Sequence, residues 1–127
     1  MSVAPIEAEV RALFEAYEDA LMRNDVAAMD AVFWDSPEVV RYGVGEIHYG
    51  IDAVKAWRAT ATPVPPGRAR EQTRVTALTE TCVLVSTLFR YPGVPGQIGR
   101  QSQTWAKLPE GWRIVHAHVS SIPDSGL

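Results

Sequence analysis

The sequence predicts an α+β domain, with three N-terminal helices packed on one face of a mainly antiparallel sheet. Three observations carry that expectation. Apolar residues recur with helical period in the first half of the chain. The period then changes to alternation in four long segments. Helices and hairpins are segregated along the chain rather than mixed, which is the pattern of an α+β domain.

Taken in order, the first helix runs from about Pro5 to Arg23. Ile6, Val10, Leu13, Phe14, Tyr17 and Leu21 form its apolar stripe; Glu7, Glu9, Arg11, Glu15, Glu18 and Arg23 cover the other face. Asn24 and Asp25 stop it and cap a second helix, which carries Val26, Met29 and Phe33 on one side and ends before Pro37. Val39 to Gly43 reads as a short strand, and Gly45 to Gly50 as a turn or hairpin. Ile51 to Thr60 is a third helix, with Asp52 in its first turn and Arg58 in its last, both suited to the helix dipole. Pro63, Pro65, Pro66 and Gly67 make a stiff loop. Ala69–Thr79, Thr81–Tyr91, Gly99–Leu108 and Trp112–Ser121 are the four long strands, the last two joined through Pro109-Glu110-Gly111; residues 122–127 read as a tail. Cys82-Val83-Leu84-Val85 is apolar on both faces, so one face is expected under the helices and the other against a second copy in a homodimer.

The chain has 127 residues, which is the size of one domain, here 1–127. With 46% hydrophobic and 21% charged residues, the composition excludes a disordered chain. One cysteine, Cys82, excludes an internal disulfide, and its apolar strand makes the thiol inert. There is no signal-peptide pattern and no membrane-length apolar run, so a cytoplasmic protein without a membrane partner is expected. A net charge of −3 with no basic run argues against nucleic acid. Arg supplies almost all the positive charge, Lys only at Lys55 and Lys107. A GC-rich genome accounts for that bias; so does recognition of carboxylates by the guanidinium fork.

Several residues are candidates for chemistry. Tyr17 sits on the buried stripe of the first helix, so its hydroxyl either bonds to the backbone at the core's edge or points into a cavity. Arg41 lies in an otherwise apolar strand, either salt-bridged or clamping an anion. Arg100-Gln101-Ser102-Gln103-Thr104-Trp105 is polar on both faces, so whichever face turns inward lines a polar pocket, unless the strand is exposed or dimer-facing. His116 and His118 share a strand face but have no third ligand in view, so structural histidines are expected and no metal. The chain carries no HExxH, phosphate loop or GxSxG elbow, and no nucleophile stands out.

The closing hairpin, with Gly111-Trp112-Arg113-Ile114-Val115-His116-Ala117-His118-Val119-Ser120, resembles that of the nuclear transport factor 2-like (SnoaL-like) superfamily. Phe33-Trp34, Arg41-Tyr42-Gly43, Tyr49-Gly50 and above all Ile98-Gly99-Arg100-Gln101-Ser102-Gln103-Thr104-Trp105 resemble, more narrowly, the AtzH-like family, also called HpxZ-like after oxalurate catabolism. The resemblance implies a cone-shaped, strongly curved sheet around a pocket under the first helix. It implies a small dimer associated with amidase-type enzymes, and a metal-free, cofactor-free decarboxylating amidohydrolase step on a 1,3-dicarboxyurea-like substrate. It places the essential tyrosine and arginine at Tyr17 and Arg41. Arg41 is then expected to bind a carboxylate and Tyr17 to donate a proton or orient water. Gln101 and Gln103 are expected to bind urea groups, with Trp34, Trp57 and Phe89 as apolar walls. The loops Pro63–Gly67 and Tyr91–Gln97 are expected to shape the pocket mouth. Two other readings use the same fold: a dimeric ligand-binding or accessory module for an amidase, and an isomerase-like proton shuttle. The shuttle needs a carboxylate in the pocket, from among Asp30, Glu38 and Glu46.

Overall fold

The computed structural model describes residues 3–124. Helix α1 spans Ala4–Arg23, α2 Val26–Ala31 and α3 Ile51–Thr60; strands are β1 Val40–Tyr42, β2 Ile47–Tyr49, β3 Ala69–Thr79, β4 Cys82–Arg90, β5 Gln97–Leu108 and β6 Gly111–Pro123. The order matches the expectation from periodicity, with three corrections. Within the segment 45–50, expected as a turn or hairpin, Ile47–Tyr49 is a strand paired antiparallel with β1. Helix α2 stops at Ala31 rather than continuing through Phe33. The Ile114 amide donates to the Val32 carbonyl at 2.7 Å, and the Trp34 amide donates to Ile114 at 3.0 Å, so pairing with β6 takes the backbone that a longer helix would have used. At the other end, Ile122 and Pro123 belong to β6 rather than to a tail, and residues 125–127 lie outside the described residues.

The six strands form one sheet in the order β2-β1-β6-β5-β4-β3. All neighbours are antiparallel except β1 and β6, which pair in parallel, with Arg41 beside Ala117. Three register irregularities bend the sheet, one of them in β3 between Ala77 and Thr79. In β6, Val115 has no partner, because Thr104 pairs with His116 and Trp105 with Ile114. The extra residue resets the alternation, so Trp112, Ile114 and Ala117 are buried while His116 and His118 are exposed. In β3 the register slips between Glu71 and Arg74, around Gln72 at φ 54°.

Helix α1 crosses the concave face alongside β3. Its Glu7 accepts from the Ala77 amide at 2.9 Å, Glu15 from Arg70 at 2.6 Å and Glu18 from Arg68 at 3.0 Å, three ties that fix its direction. Glu18 is therefore buried, although the helical pattern places it on the solvent face. Beneath α1, Val10, Phe14, Val83, Val85, Trp105 and Ile114 make a dry core. On β4 the alternation leaves Leu84 40% exposed on the convex face, between buried Val83 and Val85. Among the described residues, no helix is long and apolar enough to cross a membrane.

Candidate functional site

At the C-terminal end of α1 the core gives way to a cavity of about 420 Å³. Its polar lining is Tyr17, Asn24, Arg41, Arg58, Thr62, Arg68, Tyr91 and Gln101; Leu21, Met29, Val44, Trp57, Phe89, Val119 and the Ala61–Pro65 segment supply most of the rest. Three guanidinium groups thus face one space, and among the described residues no carboxylate lines it. A wider surface depression of about 770 Å³ lies elsewhere, bordered by Asp30, Asp35, Lys55, Glu110 and Arg113, whose charges are mixed in sign.

Each arginine is held from behind by an acid. Arg41 projects from β1 and donates to Glu46 at 3.2 Å, across the β1–β2 turn. Gly43 makes this turn: a Cβ there would overlap the Glu46 carboxylate and crowd the Arg41 guanidinium. The Arg41 guanidinium lies 3.8 Å above the Trp57 ring and 3.4 Å from His48 Nδ1, which stacks on the same tryptophan. Burial pulls Arg41 below its ordinary pKa, and Tyr17 and Glu46 act in the opposite sense. Burial and the neighbouring Arg41 charge also pull His48 down, which keeps it neutral and able to accept.

Arg58 comes from α3. Its Nε donates to Asp30 at 2.9 Å and Nη1 reaches Met29 Sδ at 3.2 Å, while buried Nη2 has no partner. Arg68 precedes β3. Its Nε donates to Glu18 at 3.0 Å, Nη1 to the Tyr91 hydroxyl at 2.8 Å and Nη2 to Gln101 Oε1 at 3.0 Å. Its guanidinium lies 3.9 Å over the Phe89 ring. That ring crosses β5 at Gly99, its register partner, where any Cβ would overlap it. The glycine within Ile98-Gly99-Arg100-Gln101 thus admits Phe89, which seats Arg68, which holds Gln101.

Tyr17 packs edge-on against Phe33, with ring centroids 6.1 Å apart. Among the described residues nothing hydrogen-bonds its hydroxyl, so that group is free to meet a ligand. The structure brings together five of the sequence-predicted residues on one cavity: Tyr17, Arg41, Trp57, Phe89 and Gln101. Two others lie elsewhere. Gln103 points to the concave side as Gln101 does, but it sits within the dry core and accepts from Trp105 Nε1 at 2.9 Å. Trp34 packs at the core's edge, beside the strand-like pairing of its backbone with Ile114, and does not line the cavity. Asp30, Glu38 and Glu46, the acids considered for a proton shuttle, do not line it either.

Sequence reasoning missed Arg58 and Arg68 as cavity residues. Arg58 carried a readable signal, since Ile51, Val54 and Arg58 recur at helical spacing and are the buried positions of α3. Arg68 carried none, because its burial depends on Glu18, far away in sequence.

A curved sheet wrapped around a pocket beneath its first helix is the nuclear transport factor 2-like fold. A superfamily member from Salmonella enterica has the same fold, with TM-score 0.77 at 21% identity, covering 99% of this chain and 97% of that one. More narrowly, the chain belongs to the AtzH-like family, whose model matches residues 1–125. It is similar to a cystatin-like fold protein from Burkholderia xenovorans, at 48% identity and TM-score 0.91 over 94% of each chain. It is also similar to a protein of unknown function from Pectobacterium atrosepticum, at 45% identity and TM-score 0.89, covering 94% of this chain and 92% of that one. No curated protein matches it.

Proposed function

We propose that this protein decarboxylates a small N-carboxylated urea or ureide, a 1,3-dicarboxyurea-like anion, to an allophanate-like product. The observation that supports this most is the cavity itself. Among the described residues it combines three guanidinium groups, an unengaged tyrosine hydroxyl and no lining carboxylate, which suits an anionic substrate and not a carboxylate-driven proton shuttle.

Arg41 holds a substrate carboxylate through its fork, pressed against Trp57 where low dielectric strengthens the contact. Tyr17 delivers a proton to the substrate nitrogen, directly or through a water. Protonation makes that nitrogen a leaving group: the bond to the carboxylate carbon breaks, its electron pair stays on nitrogen, and carbon dioxide departs. The sequence needs no covalent intermediate. Two copies pair through the convex face that exposes Leu84.

The test is carbon dioxide release from freshly generated 1,3-dicarboxyurea, with Arg41→Ala alongside to report spontaneous decay. Faster release by wild type alone is expected. Equal rates, together with a melting-temperature rise on adding dicarboxylates, would instead assign the domain to binding, as an accessory module for an amidase.

A further inference from the structure

The buried side-chain N and O atoms without partners, among the described residues, include Arg58 Nη2 and Gln101 Nε2, which belong to two residues that line the cavity. Both are hydrogen-bond donors, on residues only 5% exposed. Leaving such a group unpaired is costly, and a native site carries that cost where a ligand supplies the acceptor.

The identity of the Gln101 donor is fixed by its neighbour. Arg68 Nη2 donates to Gln101 Oε1 at 3.0 Å. Turning the carboxamide over would set its NH₂ against an arginine N–H, two donors with no acceptor between them. Arg68 cannot give way, since Glu18, Tyr91 and the Phe89 face hold the rest of its guanidinium. Arg58 is similarly anchored by Asp30 and Met29, with one nitrogen left over.

We infer that Arg58 and Gln101 are specificity-determining residues, which donate to acceptor oxygens of the ligand beyond the carboxylate taken by Arg41, with Arg68 as the positioning residue for Gln101. The cavity thereby distinguishes a terminal carboxylate from a terminal amide of the same shape, because an amide NH₂ would face donors. This rests on the proposed reading for the role of Arg41, but it concerns binding and is tested without turnover.

The probes are glutarate and glutaramate, whose chain length between termini matches a dicarboxyurea and which differ only in carboxylate against amide. Binding to the intact protein is measured by calorimetry at mildly alkaline pH, where glutarate carries two charges. Wild type is expected to prefer glutarate on the order of tenfold, the scale of one charge-assisted hydrogen bond. Gln101→Glu keeps the shape and the contact with Arg68 while replacing the donor with an oxygen, so the preference should collapse or invert. Arg58→Gln should erode it to about threefold or less. Because Arg58 also anchors Asp30, Gln101→Glu decides the matter if Arg58→Gln does not fold. Absence of binding, no preference in wild type, or an undiminished preference in Gln101→Glu would overturn the inference. A preference that follows these substitutions without any carbon dioxide release would overturn the catalytic reading alone.

Discussion

Gln103 and Gln101 stand two residues apart on the same face of β5, and they mark two ends of one concave surface with opposite characters. Around Gln103 the sheet is dry. Its carbonyl oxygen is used by Trp105 Nε1, and its strand partners Val85 and Ala117 belong to the hydrophobic core. Around Gln101 the packing opens into the cavity, where arginines backed by acids join apolar walls such as Trp57 and Phe89. The helix above makes the difference. The stripe of α1 offers Val10 and Phe14 over one end, then Tyr17 and Glu18 over the other. One strand face therefore serves as core and as cavity wall, and stability and the proposed activity should separate along it.

Trp105→Ala should test the dry end hardest. It empties the largest fully buried side chain and orphans the Gln103 carbonyl, so a loss of about 3–5 kcal/mol by chemical denaturation is expected. Arg41→Ala should show the reverse balance. Glu46 keeps contact with water, so stability should fall by only about 1 kcal/mol, while carbon dioxide release drops at least about a hundredfold. Tyr17→Phe should lose turnover likewise, with its ring packing on Phe33 retained. A tryptophan variant with normal stability, or an arginine variant that unfolds, would break the division.

Gly99→Ala sits between the two. Its added methyl must displace the Phe89 ring, at about 1–3 kcal/mol. Through Arg68 it should also disturb Gln101, so dicarboxylate binding should weaken beyond what the stability change explains.

The smallest effect is pH-dependent. The folded state holds the His48 pKa below its ordinary value, so the unfolded chain binds a proton that the native chain refuses. Stability should therefore decline as pH falls below about 6.5, and the loss should level off below the depressed native pKa. His48→Phe keeps an aromatic ring against Trp57 and should flatten that decline in denaturation curves taken between about pH 7 and 5.

This division also shows what the sequence could reveal. Periodicity located the three helices and the four long strands, because each has one face that must be buried; β2 reads only as part of a turn or hairpin, since three residues are too few to show a period. It placed Tyr17 and Arg41 as anomalies, polar groups at apolar positions, and the structure sets both on one cavity. It could not separate Gln101 from Gln103, since alternation reports which face a residue takes but not what lies opposite. Trp34 misled for a related reason: its size suited a cavity wall, but its backbone is drawn against β6. Arg68 and Glu18 were hidden because neither is buried without the other.

The parallel seam between β1 and β6 has a consequence in time. Val40 is held beside His116, so the strand that carries Arg41 joins the main sheet through β6, the last of the six described strands in chain order. Tyr17 and Arg41 leave the ribosome early, yet Arg41 has no strand neighbour on that side until the C-terminal hairpin arrives. Pairing across so much chain is entropically slow, and the binding pocket should be among the last features to mature. A chain halted before β6 would already contain both residues and still lack the strand pairing that seats Arg41 beside the cavity.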